Sequence, residues 1–341
     1  MFNKAMALTL GIGIVVFVLI GFFLGFDSSF PLLLDTFSHN SGYLLLAVAC
    51  QFLSLTTVWL RWHYIVSQSK TKLKMKDTLL ITLVGGAVNN LTPSARMGGE
   101  AVKMFLLNQK AKVRTGLSAS TIITEKLFDG IVFSVLAVIT IIFAAQFLPP
   151  WVLLSVLFAF SFAVGMIILS FQIAYNKRTG EKIVKGVIRR FGWLINKYRP
   201  LPIIRKHALE SLEIFNHKTK RILTAKRIWF YGLSFSALSW VFDILRGFFI
   251  FKALGLDVSL PVIALVLILA MLVGSLPLLP GGLGSMESVM IIIYTSSGIS
   301  LAAAGMQTLI DRTLSFWLVT GIGLMAAYLT GIDINKVKKN E

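Results

Sequence analysis

The stretch Asn89–Leu107, NNLTPSARMGGEAVKMFLL, sets Arg96, Glu100 and Lys103 between two apolar runs and breaks any helix with Pro93 and the Gly98-Gly99 pair. A second stretch, Leu278–Tyr294, LLPGGLGSMESVMIIIY, has the same build around Pro280, Gly281, Gly282 and Glu287. In each, a glutamate follows the proline at the seventh position, so that Pro93 and Glu100 match Pro280 and Glu287 at one common offset. The likeness extends outward. The acid-base pair Glu125-Lys126 recurs as Asp311-Arg312 at almost the same offset, and the apolar run beginning near Ser41 has its counterpart beginning near Ile228. These correspondences point to an internal repeat, with units at about residues 41–148 and 228–330.

The surrounding sequence is that of a membrane protein. Of 341 residues, 56% are apolar and 14% charged, with a mean hydropathy of +0.80; soluble domains have roughly 45–50% and about 25%. Residues 5–26, 41–60, 151–174 and 258–279 are uncharged runs, each near the ~20 residues that cross a ~30 Å hydrocarbon core. Four similar runs carry charges: 117–148 (Glu125, Lys126, Asp129), 229–251 (Asp243, Arg246), 286–297 (Glu287) and 301–330 (Asp311, Arg312). The first run is expected to be a span and not a cleaved leader, because it is too long and no small-residue cleavage site follows.

A net charge of +18 would suit nucleic acid, but its distribution argues against that partner. Twenty-nine of the 33 Lys and Arg fall in residues 1–4, 61–77, 94–116, 174–228 and 331–341. This is the positive-inside pattern, and it places both termini in the cytoplasm of a multi-pass plasma (inner) membrane protein. The only cysteine, Cys50, rules out an intramolecular disulfide, and four scattered histidines have no metal-ligand spacing, so no metal or other cofactor is expected. The basic segment 175–228 reads as a cytoplasmic loop containing one amphipathic helix, EKIVKGVIRRFGWLINK, suited to an anionic leaflet; its charges would also serve to retain topology. It is too short for a catalytic domain, and no phosphate loop or Ser/His/Asp set occurs, so an enzyme is not expected.

The expected fold is all-α and polytopic, with six full transmembrane helices and two re-entrant helical hairpins at 78–108 and 258–297. If the first hairpin returns to the side it entered from, the second enters from the other side, and the two units form an inverted pseudo-repeat. Irregular backbone at membrane depth requires surrounding protein or a water-filled cavity. Broken segments in corresponding positions of two halves are the best sequence pointer to a transporter's binding site.

The segments LTPSARMGGEAVKMFLL, TEKLFDG, PGGLGSMES and DRTLSFW, in that order, resemble the membrane region of the lysylphosphatidylglycerol synthase and flippase family over about residues 41–329. The resemblance implies a helical domain with re-entrant hairpins that translocates lipids or lipid-linked groups. The family's motif positions fall on Pro93, Arg96, Gly99 and Glu100, on Glu125, Lys126 and Asp129, and on Pro280, Gly281, Gly282, Glu287 and Arg312. Lys103 and Lys126 stand where arginine is usual, keeping the charge without the bidentate fork that suits phosphate. The synthases' aminoacyltransferase domain has no counterpart here.

The charges can also be read without the family. Glu125 and Asp129 lie four residues apart on one helical face, with Lys126 about 100° away. An ionisable residue within a span costs about 2.5–3.5 kcal/mol on insertion scales, so each needs a partner or a polar cavity. One reading is structural: ion pairs such as Asp243 with Arg246 pin the helices. The other is that Arg96, Glu100, Lys103, Glu125, Lys126, Asp129, Glu287, Asp311 and Arg312 form a substrate site for an anionic, phosphate-bearing membrane lipid, with Gly98, Gly99, Gly281 and Gly282 shaping the hairpins. A non-transporting lipid-binding accessory subunit of a membrane-lipid or glycan enzyme and a membrane-embedded transferase remain the alternatives; the partners expected beside membrane lipids are a second copy of the chain or a lipid or glycan enzyme.

Overall fold

A computed structural model describes residues 40–69, 71–92, 97–144, 150–195, 201–275 and 280–329, together with Gly11 and Val15. Most of the first apolar run and residues 93–96 therefore lie outside the described residues. Those described form helices and connecting turns, with no strand. In chain order the helices are α1 (Ser41–Gln68), α2 (Met75–Leu91), α3 (Gly98–Ala111), α4 (Thr115–Ala144), α5 (Pro150–Tyr175), α6 (Lys177–Ile195) and α7 (Leu201–Thr224). They continue with α8 (Lys226–Ala253), α9 (Leu260–Gly274), α10 (Ser285–Ser296) and α11 (Leu301–Arg312). A π-helical turn, Thr313–Leu318, joins α11 to α12 (Val319–Leu329). Among the described residues, four helices are long and apolar enough to cross a membrane: Ser41–Gln68, Thr115–Phe143, Lys226–Ala253 and Leu301–Leu329.

Helices α1 and α8 form the central antiparallel pair. The rings of Tyr64 and Tyr231 lie 4.7 Å apart, Arg61 reaches Ser236, and Gln51 meets Arg246, so position rises along one helix as it falls along the other. Near one end of α1, Trp62 packs with Ile81 of α2 and Leu106 of α3. Toward the other end, Ala47 shares a core with Ile263 of α9 and Ile293 and Tyr294 of α10. Hydroxyls inside the helices turn back on their own backbone. Ser120, Thr121 and Thr124 of α4 donate to carbonyls three or four residues earlier, at 2.6–2.8 Å, which satisfies them without a partner helix.

Two boundaries differ from the sequence reading. The run ending at residue 60 continues as helix to Gln68, and Arg61, counted among the cytoplasmic charges, is 3% exposed inside it. A hydropathy run stops at its first charge, whereas the helix continues because carboxylates of α4 receive that charge. The segment 175–228, read as a loop with one helix, contains two, α6 and α7. Lys177 of α6 bonds Glu213 of α7 at 2.9 Å, and Leu212 and Phe215 of α7 pack on Ala174, Ala119 and Val184.

Candidate functional site

The site begins with two pairs of short helices. α2 and α3 fold against each other, with Lys110 near the end of α3 bonded to Asp77 at the start of α2 at 3.2 Å. The pairing depends on glycine: a Cβ on Gly99 would lie 1.9 Å from the Gly85 carbonyl oxygen. Asn89 closes the hairpin by accepting the Gly99 N–H at 2.8 Å. α9 and α10 pair similarly, with Gly274 against Met286 and Pro280–Gly282 as the turn. Gly281 and Gly282 have φ of 57° and 69°, a region that glycine adopts at no steric cost. The two tips touch. A Cβ on Gly281 would lie 2.7 Å from the Asn90 carbonyl oxygen, and the Asn90 amide donates to the Phe316 carbonyl at 3.2 Å and to Thr320 Oγ1 at 3.0 Å.

Charged side chains converge beside this contact in two groups. In the first, Arg61 of α1 donates to Asp129 Oδ1 at 2.9 Å and to Ser236 Oγ at 2.7 Å, and lies 3.4 Å from Glu125 Oε1. Lys103 of α3 bonds Glu125 Oε2 at 2.5 Å, sits 3.5 Å from Glu100, and lies over the Trp62 ring at 4.7 Å. Lys126 bonds Glu100 Oε1 at 2.8 Å, and Asn89 Nδ2 donates to the same oxygen at 3.4 Å. In the second group, Arg246 of α8 bonds Asp311 at 2.8 Å, Asp243 at 2.5 Å and Gln51 at 2.8 Å. Arg312 bonds Glu287 at 2.5 Å, donates to the Gly281 carbonyl at 3.1 Å, and lies over the Phe316 ring at 4.9 Å.

Both groups face one cavity of about 290 Å³. Five cations and five carboxylates among the described residues line it, so a ligand entering it meets paired charges and not a net field. An apolar wall adjoins them, made by Leu55, Val58 and Trp59 of α1 with Leu79 and Leu83 of α2. Exposure within the cavity is uneven: the side chains of Lys126, Asp243 and Asp129 are 45%, 33% and 29% exposed, whereas those of Arg61 and Arg312 are 3%.

Of the residues singled out from sequence, Glu100, Lys103, Glu125, Lys126, Asp129, Asp311 and Arg312 line this one cavity, and Glu287 is bonded to Arg312 behind it. Gly98 and Gly99 open α3, and Pro280, Gly281 and Gly282 are buried at the second turn. Arg96 and Pro93 lie outside the described residues. Sequence reasoning missed Arg61, Gln51, Asn89, Asn90 and Ser236, and it read Arg246 only as a local partner of Asp243. That local bond exists, but Arg246 also ties α8 to α11 and α1. A signal was available, since the separation of Arg61 from Arg246 is almost the offset of the motifs.

Fold and site define a polytopic helical membrane protein whose buried charges gather where two glycine-broken hairpins meet. Residues 8–323 match the family model of the lysylphosphatidylglycerol synthase TM region, and the chain belongs to that family. It is 33% identical over 299 residues to a UPF0104 membrane protein of Methanothermobacter thermautotrophicus, covering 86% of this chain and 87% of that one. UPF0104 membrane proteins of Methanocaldococcus jannaschii and Pyrococcus horikoshii are 28% and 25% identical. Those matches cover 93% and 92% of this chain, and 92% and 93% of the relatives.

Proposed function

We propose that the protein carries an anionic, phosphate-bearing lipid, a phospholipid or a polyprenyl-phosphate-linked lipid, between the leaflets of the plasma membrane, as a carrier and not a catalyst. The observation that carries this reading is one cavity in which Glu100 and Lys103 of the first hairpin and charges of α1, α4, α8 and α11 stand beside an apolar wall. A headgroup crossing a ~30 Å core needs a polar path, because a bare charge at the bilayer centre is costly. Its chain needs apolar surface next to that path. Leu55, Val58, Trp59, Leu79 and Leu83 supply such a surface.

Helix lengths support reading α2–α3 and α9–α10 as re-entrant. At 17, 14, 15 and 12 residues they are about 26, 21, 22 and 18 Å long, each shorter than the hydrocarbon core. Their packing near opposite ends of α1 supports entry from opposite faces, as an inverted repeat requires. The positive-inside distribution supports cytoplasmic termini.

The test is what the protein retains. Lipids bound to gently extracted wild-type protein, identified by mass spectrometry, should be enriched in phosphate-bearing anionic species over the source membrane. Arg96→Ala and Glu100→Gln should lose that enrichment, while Arg114→Ala, at an exposed position, should keep it. A retained mixture identical to the bulk membrane in all four proteins would contradict the reading.

A further inference from the structure

The ion pairs of the cavity occur as two corresponding sets. Glu100 corresponds to Glu287 at the offset of the two prolines, and Glu125 to Asp311 and Lys126 to Arg312 at an offset smaller by a single position. Their contacts correspond as well: Arg61 pairs with Glu125 as Arg246 pairs with Asp311, and Lys126 with Glu100 as Arg312 with Glu287. The arginines cross in the same sense. Arg61 donates to Ser236 of α8 and Arg246 to Gln51 of α1, and the two acceptors are as far apart in the chain as the two arginines.

The two sets differ in their contact with the cavity's open space. Lys126 has a 45% exposed side chain, and its counterpart Arg312 is 3% exposed. Both sets leave buried polar atoms without a hydrogen bond among the described residues: Arg61 Nε and Glu100 Oε2 in the first, and Glu287 Oε2 in the second, where the nearby Tyr294 hydroxyl and both amide atoms of Gln307 are also without one, an arrangement that calls for an explanation. Met290 stands where the first set has Lys103, so among the described residues Glu287 has one cation partner where Glu100 has two. The π-helical turn begins at Thr313, directly after Arg312; such turns interrupt the regular hydrogen-bond ladder and occur often at functional sites.

We propose that Lys126 and Arg312 are two stations for one phosphate group, wet and sealed respectively in this conformation, and that the protein exchanges them. In the exchange the Arg312–Glu287 pair opens to the cavity as the Lys126–Glu100 pair closes, and phosphate oxygens replace the acceptors that Arg312 gives up. Arg312 Nε and Nη2 now hold the Glu287 carboxylate and the Gly281 carbonyl, and the same fork suits two phosphate oxygens. Water admitted to the opened half would reach Gln307, Tyr294 and Glu287. The identity of the ligand rests on the transport reading above; the exchange itself does not.

Single cysteines in a Cys50→Ala background, in nanodiscs, test both parts. Leu83→Cys lines the cavity and should react readily with a small thiol reagent, whereas Gln307→Cys, fully buried, should react slowly. Adding Glu287→Gln unlocks the sealed pair. It should speed Gln307→Cys and slow Leu83→Cys, each by about tenfold or more, as expected when a minor state becomes the major one. A simple loosening would speed both, and that result, or no change in either, overturns the exchange. If Glu287→Gln does not yield folded protein, Arg312→Lys keeps the charge, loses the fork and carries the same reciprocal expectation.

For the ligand, dioctanoylphosphatidylglycerol should protect Leu83→Cys, and Lys126→Ala should abolish that protection. Protection that survives Lys126→Ala, or none at all, overturns the station at Lys126. Equal protection by inorganic phosphate alone supports the stations and contradicts the lipid reading.

Discussion

Glu100 and Glu287 do the same local job in environments that make their removal unequal. Glu287→Gln leaves the Arg312 guanidinium buried without a counter-charge, a change that costs up to about 3–5 kcal/mol when nothing relieves it. Glu100→Gln leaves Lys126 partly solvated and Lys103 still bonded to Glu125, so its cost should be about 1 kcal/mol or less, as for solvent-accessible pairs. Thermal unfolding of the two variants in detergent should show the larger loss for Glu287→Gln, and equal losses would contradict the burial difference. These acids were legible from sequence because each follows a proline at the same spacing in an apolar run. Arg61 was not, because it sits at the edge of a basic segment and its partners Glu125 and Asp129 are 64 and 68 positions away. Asn89 and Asn90 carry no charge that a hydropathy pattern would expose.

At the scale of elements, the first hairpin depends on Gly99 and Gly85 touching. Gly99→Ala would drive a Cβ into a backbone carbonyl that cannot yield as a side chain could, and overpacking of this kind typically costs about 1–3 kcal/mol. Gly165→Ala, with nothing within 4 Å, should be tolerated. Size-exclusion profiles after a heating series should separate the two, and indistinguishable profiles would contradict the close approach. Re-entrance has its own measurement. Cysteines at exposed Lys72 and Gln109 should label from one face, and those at exposed Asp257 and Ser300 from the other. Labelling of Lys72 and Gln109 from opposite faces would turn α2 or α3 into a crossing helix. The hairpins could be anticipated because proline and glycine interrupt apolar runs. Helix α7 could not, because its residues Leu212, Phe215 and Ile222 pack against other helices and stand out little in a strongly basic stretch.

For the whole molecule, one offset repeated through the chain anticipated what the structure brings together. Correspondences at that nearly constant offset link Pro93 with Pro280, Glu100 with Glu287 and Lys126 with Arg312; of these, Glu100, Lys126 and Arg312 line the cavity, and Glu287 is bonded to Arg312 behind it. The crossing of α1 and α8 escaped the sequence because it depends on which faces of two apolar helices meet, and such helices have little amphipathic signal in lipid. The central claim is that this cavity moves a phosphate-bearing lipid, and leaflet redistribution tests it most directly. Purified protein, reconstituted alone into liposomes with a labelled phosphatidylglycerol or a polyprenyl phosphate in one leaflet, should equilibrate at least one of these lipids faster than empty liposomes, and Lys126→Ala should abolish the difference. Folded wild-type protein that moves neither lipid faster than empty liposomes, or a Lys126→Ala variant as active as wild type, would contradict it.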